Sequence, residues 1–556
     1  MISREAGGIA SATGKTLGLA VSWSLPLCAG GMIGFGLVCL AIRAQWGDQT
    51  WSLFAADRFL NGARLGVDLW LVGPPLIVWL YELPVALGHR FGVPAVEALQ
   101  ASIFLLAAFS IAWSSMLVRR GPAGDGRVAG WFAIVMVFAT IVHPWVHIGQ
   151  REHILLLLVV PYLVMAAWRI DGKAPSPGEA LAVGLLAGIG FLVKPHHLLV
   201  PAAIEALVLY RRRSLRLLFR PEAMALAATC VGYAIAVWLW APDYLSKIVP
   251  MALATYYEYH RHALFELIRP MRALKLLIVL VVWAAMYRWL AHRALTCVLV
   301  VAGLAAIGAV VAQMKGHEYQ FVPVLGFFDL LCGVMVIDGW LLATRRWTRP
   351  VPAGGAIAGT AAMVVAAVAI GYPLQRARAA HPYTDDRIAA QRAVGPYIPR
   401  GTTVLILSTS TETFFGEVLD RGWNWASRFD CLWMLPGIVH AEHAAATAHR
   451  DEPSAIREDA ARVREAVAAD LTLWRPMLVL VDRCQDASIT PCMGIGHLRL
   501  DLLKWLDGGS GFAAAWSAYV PEGRIGPYDL WCSRDEVAKC RDILALANVR
   551  SGGPGW

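Results

Sequence analysis

Three aspartates, Asp48, Asp57 and Asp68, stand beside Trp46, Trp51 and Trp70 in a stretch that closes on the breaker Gly73-Pro74-Pro75. Further along, polar residues interrupt apolar runs at Gln150-Arg151-Glu152-His153, Lys194-Pro195-His196-His197 and Lys315-Gly316-His317-Glu318-Tyr319. Each group taken singly has an ordinary explanation. Lys or Arg at the end of a membrane helix snorkels to the headgroups. Asp57, next to Arg58 in an amphipathic stretch, reads as part of a solvated face, and Asp68 divides between a turn residue and a substrate contact. Taken together, carboxylates, imidazoles and cations recurring at one set of span ends suit a substrate that is both anionic and lipid-bound. Cations hold a phosphate, and a carboxylate activates an acceptor hydroxyl.

The elements that must position these residues are membrane spans. Of the 556 residues 58% are hydrophobic and only 16% charged, with a positive mean hydropathy, which excludes an ordinary soluble protein. The net charge of +9 resides in short Arg clusters between apolar runs, where it signals topology rather than nucleic-acid binding. Gly14-Lys15-Thr16 is no phosphate loop, because Ile9 stands where the first glycine is required. Windows near the ~20 residues that cross a bilayer place about eleven helices at 17–41, 95–117, 128–146, 154–168, 180–193, 198–210, 224–240, 273–290, 295–313, 321–342 and 354–372. The first is read as retained, since no small-residue cleavage site follows it. The fourth to sixth are short and hold or adjoin Pro161, Pro195 and Pro201.

Every second loop is basic: Arg119, Arg120 and Arg127; Arg169 and Lys173; Arg211, Arg212, Arg213, Arg216 and Arg220; Arg288 and Arg293; Arg345, Arg346 and Arg349. The positive-inside rule puts these in the cytoplasm and the Asp48, Glu152, Lys194 and Lys315 loops outside. The expected protein is a multi-pass inner-membrane protein. Its membrane domain covers 1–372, with a functional first exterior loop at 43–94, and a soluble α/β domain at 373–556 lies on the periplasmic side. Thr403 to Ser408 and Met477 to Val481 have the composition of buried strands, and Ala455 to Asp470 that of a surface helix. Trp423, Trp425 and Trp433 are expected in that domain's core, and His260 and His262 as surface or packing histidines rather than ligands.

Among the ten cysteines, Cys28, Cys39, Cys230, Cys297 and Cys332 fall in spans as packing residues. Cys431, Cys484, Cys492, Cys532 and Cys540 fall where oxidation is possible. Ser533-Arg534-Asp535-Glu536 has capping-box spacing, which predicts a helix from Ser533 and sets Cys532 roughly 10 Å from Cys540, too far for a bridge. Cys484 and Cys492, flanking a Pro-containing loop, form the expected pair.

Asp48-Gln49, Trp51, Ala55-Ala56, Leu60, Gly62, Val67-Asp68 and Gly73-Pro74-Pro75-Leu76 resemble the first exterior loop of the GT-C glycosyltransferases, nearest the aminoarabinose transferases and protein mannosyltransferases. There an Asp-Glu pair opens the loop and Lys-Pro-Pro-Leu closes it; here Gln49 replaces the glutamate and Gly73 the lysine. Lys315 to Pro323 (KGHEYQFVP) is similar to that family's late Lys-containing loop. The resemblance covers about two-thirds of the chain. It implies a polytopic α-helical transferase that uses a polyprenyl-phosphate sugar and passes it to a glycan, lipid or protein acceptor, with Asp48 as catalytic base. Asp68, Arg151, Lys194, His196, His197, Lys315, His317 and Tyr319 are then the substrate-binding candidates. The family's second exterior loop holds acidic residues linked to a divalent metal. Glu152 and His153 occupy that place, with oxygen ligands suiting magnesium or manganese and a histidine tolerating zinc. Two other functions stand beside this one: a transporter or flippase, for which Glu205 is the main candidate buried charge, and an inactive GT-C relative serving as a binding or assembly module.

Overall fold

The computed structural model describes residues 47–124, 126–144, 147–257, 270–345, 390, 393–410, 415–486, 492–496, 498–509 and 511–547. The expected spans at 17–41 and 354–372, with Cys28, Cys39, Trp46, His260 and His262, lie outside the described residues. In chain order the helices are α1 (Gly47–Leu60), α2 (Leu76–Phe91), α3 (Ala95–Arg120), α4 (Gly126–Val137), α5 (Arg151–Ile170), α6 (Pro177–Val193) and α7 (Leu199–Arg212). Then come α8 (Pro221–Trp240), α9 (Pro270–Met286), α10 (Arg293–Gln313) and α11 (Val322–Arg345). The C-terminal part follows with β1 (Thr403–Leu407), α12 (Phe415–Arg421), β2 (Asn424–Trp425), α13 (Leu435–Thr447), α14 (Ser454–Trp474), β3 (Leu478–Asp482), β4 (Tyr519–Ile525), β5 (Tyr528–Ser533) and α15 (Val537–Leu546).

Five helical runs among the described residues are long and apolar enough to cross a bilayer: α3, α5, α8, α10 and Glu318–Ala343, which includes most of α11. Gly126–Val142 and Pro177–Val193 are shorter apolar helices. This is an integral membrane protein. Helices also form over 199–212 and 270–286, where spans were expected, but their apolar runs are shorter.

The described residues gather into two compact units. One holds 100–233 and 270–345; the other holds 47–99, 234–257 and 390–547. At the centre of the first, α5 is buried continuously from Glu152 to Trp168. A helix apolar on every side has no solvent face and belongs in an interior, and α6, α10 and α11 surround it. Ser176 starts α6 by accepting from Glu179 N, with Pro177 at the first helical position. The expected span at 128–146 is interrupted. After α4 the backbone widens into a π turn at Phe138–Val142, and the Thr140 carbonyl there accepts from His153.

The second unit is built on a five-stranded sheet of order β2-β1-β3-β5-β4, with β2, β1 and β3 parallel and β5 and β4 antiparallel. β1 and β3 are the strands expected from their apolar runs, and β3 is buried along its whole length. Segments from early in the chain pack into this same unit. Arg58 of α1 donates to the Ser427 and Trp425 carbonyls at 3.3 and 3.4 Å. Trp70 N donates to the Arg428 carbonyl at 2.8 Å, and Trp433 Nε1 returns a bond to the Trp70 carbonyl at 3.2 Å. Gly66, at φ +83°, lies so close to Asp243 that a Cβ would stand 2.5 Å from its carbonyl carbon. Gly437 of α13 meets the Thr255 carbonyl oxygen just as closely, at 2.3 Å from a built Cβ. Residues 47–99 and 234–257 are therefore structural parts of the C-terminal unit rather than loops of the membrane bundle alone.

Two disulfides close C-terminal loops, Cys484–Cys492 and Cys532–Cys540. The first was expected; the second overturns the separation inferred from the capping box. Ser533 makes no side-chain cap, residues Arg534–Glu536 form a 3-10 turn, and α15 begins only at Val537. That turn folds the chain back, bringing Cys540 in the first turn of α15 to a Cα–Cα distance of 6.1 Å from Cys532.

Candidate functional site

In the first unit the expected substrate residues converge around one ion pair. Glu152, in the first turn of α5, and Lys194, at the C-cap of α6, meet at 2.5 Å with side chains 1% and 7% exposed. The Lys194 ammonium also lies 5.1 Å from the centre of the Tyr319 ring. Tyr319 is stacked on His317 at 5.3 Å and has His147 edge-on at 6.4 Å. Lys315 is buried in the same loop, and Arg151 is half-buried. His196 and His197 follow Lys194 in a 3-10 turn, their rings 5.0 Å apart. Burial first, and then the neighbouring Lys194 charge, push His196 down to about 2 and His197 down to about 3, so both imidazoles are neutral. His197 is fully buried, and neither ring nitrogen has a hydrogen-bond partner.

The chemistry of the Glu152 and His153 donors does not fit a divalent ion. Glu152 is already neutralised by the Lys194 ammonium. His153 accepts at Nδ1 from Gly149 N (3.0 Å) and donates from Nε2 to the Thr140 carbonyl (2.6 Å), so both nitrogens are used in holding the loop after the π turn. A metal ligand needs a lone pair free of such bonds.

Asp48 and Asp68 fall in the second unit. Asp68 accepts from Arg64 N at 2.9 Å and closes the turn that Gly66 makes possible, which is its turn role. Asp57 is paired with His89 of α2 at 2.9 Å. Asp48 lies in the first turn of α1, half-buried, and acts electrostatically on Asp430 and Cys431 from the loop after β2. Burial, with Asp48 adding to it, raises the Asp430 carboxyl to about 7; the Cys431 thiol is also pushed up. Trp423, Trp425 and Trp433 are core residues as expected, at 4%, 2% and 3% exposure.

Sequence reasoning missed Asp430. Its only local signal is a charge set between Phe429 and Cys431, a run that otherwise reads as core. It also missed the partners of Glu205. Arg220 binds Glu205 at 2.6 Å and Glu222 at 2.7 Å, Arg169 grips Glu222 with two bonds, and Tyr162 donates to Glu205 at 2.6 Å. A carboxylate so tied is a joint between α5, α7 and α8, and no longer favours a transport path. His143 and Asp329 make a further buried pair, after the π turn and within α11.

No protein-family model matches the chain, and no curated protein matches it. Among solved structures it is similar to the crystal structure of ArnT from Cupriavidus metallidurans in the apo state, with a TM-score of 0.51 and 12% identity over 96% of this chain and 100% of that one. At that identity the likeness is one of fold alone.

Proposed function

We propose that this protein is a GT-C-type membrane glycosyltransferase that moves a sugar from a polyprenyl-phosphate donor to an acceptor outside the cytoplasm. The observation that carries the reading is the group formed by buried Lys194 and His197 with half-buried Tyr319 and His196, and buried Lys315 in the loop of Tyr319, in a fold similar to that of ArnT. A lipid phosphate that departs with the bonding electrons of the C1–O bond needs fixed positive charge at its oxygens. Lys194, Lys315 and Arg151 supply that charge, and neutral His196 and His197 donate hydrogen bonds without competing as cations. Asp48 is assigned the other half of the reaction by the resemblance of its loop: the acceptor hydroxyl loses its proton to the carboxylate as its oxygen bonds to C1. No step needs a nucleotide or a metal at Glu152.

Donor binding tests this reading. Lys194→Met alone leaves the buried Glu152 carboxylate unpaired, which costs about 3–5 kcal/mol and confuses folding with function. The informative variant is Glu152→Gln with Lys194→Met. It should fold and bind a polyprenyl phosphate about tenfold more weakly than the parent, the loss of one charge-assisted contact. Unchanged affinity in that variant and in Lys315→Met would return both lysines to the role of interfacial anchors.

A further inference from the structure

The connection between α7 and α8 is laid on the surface of the first unit in a fixed shape. α7 closes on Arg213, whose φ of +49° lies in the left-handed region and whose N–H donates to the Leu209 carbonyl at 2.7 Å. The chain then turns through a 3-10 segment, Leu215–Phe219. Buried Arg220 braces that turn by donating to the Leu217 carbonyl at 3.1 Å, and Arg220 is itself held by Glu205 and Glu222. Leu217 packs against the core of the bundle. Leu215, Leu218 and Phe219 stay on the outside, 74%, 42% and 76% exposed, with Arg216 exposed among them. Tyr210, Arg211, Arg212 and Arg213 at the end of α7 are exposed as well.

Arg211 has a task within the fold. It donates to the Tyr287 hydroxyl at 2.9 Å, which ties the turn to the end of α9, and it interacts electrostatically with Asp171. Glu205 and Glu222 are committed to Arg220 and Arg169. Among the described residues no carboxylate forms an ion pair with Arg212, Arg213 or Arg216. Next to Tyr287 come Arg288 and the exposed Trp289, the guanidinium 5.7 Å from the ring centre. Large apolar groups so exposed are unfavourable in water, and guanidinium groups without counter-charge are unfavourable in hydrocarbon. The phosphate depth of a bilayer suits both. Charge by itself is enough to set topology; the outward Leu215, Leu218 and Phe219, on a turn braced from beneath, are not explained by it. The turn also runs straight into α8, whose apolar stretch is only 6% buried, so its surface continues into that of a lipid-facing helix.

We propose that residues 210–219, with Arg288 and Trp289, form a binding site for an anionic phospholipid of the surrounding bilayer. Arg212, Arg213 and Arg216 take its phosphate, and Leu215, Leu218 and Phe219 lie against its acyl chains. A guanidinium forks onto two phosphate oxygens, whereas a zwitterionic headgroup brings its own ammonium to compete for them. The site therefore selects a headgroup of net negative charge. Because Tyr287 holds Arg211 and Arg220 holds the turn, the surface is formed before the lipid arrives. The leaflet concerned is the one on the side of the basic loops. This site goes beyond the transferase reading and does not rest on it.

Native mass spectrometry of the full-length protein in a neutral detergent, with dioleoyl phosphatidylglycerol or dioleoyl phosphatidylcholine added, reads the site. The parent should retain phosphatidylglycerol at collision energies that strip phosphatidylcholine. Arg213→Gln with Arg216→Gln should weaken phosphatidylglycerol binding about 10- to 30-fold, since each arginine near a membrane surface contributes on the order of fivefold. Leu215→Ser with Phe219→Ser keeps every charge, and with it the topology signal, and should weaken binding about tenfold or more through lost contact with the acyl chains. All four positions are exposed and lie outside the network that holds Arg220, so both variants keep the fold. Equal retention of the two lipids by the parent, or an unchanged phosphatidylglycerol affinity in either double variant, overturns the site and leaves the arginines as topology signals alone.

Discussion

At the scale of single residues, what decides function is which charges are neutralised within the fold and which remain for a substrate. Asp48→Asn preserves shape and hydrogen bonding but cannot accept a proton. For a general base the expected loss is ~100- to 10,000-fold in turnover, with expression and donor binding close to the parent. Turnover near the parent rate would move the role elsewhere. The neutral histidines make a different prediction. In the unfolded chain they titrate near 6.5, whereas in the fold His197 is pushed down to about 3 and His196 to about 2. Below about pH 6.5 the unfolded state therefore binds more protons than the folded one, and stability must fall as the pH drops toward the folded values. The buried His197 alone contributes up to about 1.4 kcal/mol per pH unit in that window. Measured between about pH 7 and pH 5, the melting temperature of the parent should fall more steeply on acidification than that of His197→Phe. Parallel curves would mean that the imidazole finds a counter-charge.

At the scale of elements, the joints are narrow and specific. A methyl group at Gly437 would meet the Thr255 carbonyl oxygen at 2.3 Å. Since backbone, not a flexible side-chain end, must yield there, Gly437→Ala should destabilise the second unit by about 1–3 kcal/mol, read as earlier proteolysis of residues 390–547. Full resistance at the parent's level would show that α13 has room to shift. The two disulfides should appear in non-reducing peptide maps as Cys484–Cys492 and Cys532–Cys540, and a Cys484–Cys540 link would contradict the fold. Each closes a short loop of the unfolded chain, so Cys532→Ser with Cys540→Ser should cost about 2–3 kcal/mol. In the membrane bundle, Glu222→Gln removes the carboxylate that joins Arg169 and Arg220 and leaves two buried guanidinium groups under-neutralised. A loss of about 3–5 kcal/mol is expected, as a lower melting temperature in detergent.

At the scale of the whole molecule, orientation governs every functional claim. We propose, from the alternating basic loops, that the C-terminal domain lies outside the cytoplasm, a compartment in which the Cys484–Cys492 and Cys532–Cys540 bridges would be chemically stable. An alkaline-phosphatase fusion after Pro373 should be active and one after Arg213 inactive; the reverse pattern would invert the topology and remove the proposed acceptor side. α8 is consistent with a lipid-facing position, since Val231, Ile235, Trp238, Leu239 and Trp240 leave an apolar surface that hydrocarbon suits better than water.

What the amino-acid order determined by itself is the membrane class, the positions of α3, α5, α8, α10 and α11, and the strands β1 and β3. Those features follow from local composition: an apolar run of sufficient length partitions into lipid, and a short one bounded by turn residues becomes a buried strand. The polar clusters bearing Glu152, Lys194 and Lys315 were legible for the same reason, because charge at the end of an apolar run is visible locally. Their pairing was not. That Glu152 is neutralised by Lys194 and that His153 is used up by Gly149 and Thr140 depends on helix packing and chain crossings with no periodic signature. Cys532 and Cys540 show the limit most clearly. The capping spacing favours a helix from Ser533, but β5 ends on the sheet, and the chain must turn at once to cover it. Burial and a covalent bond then outweigh a cap worth about 1 kcal/mol.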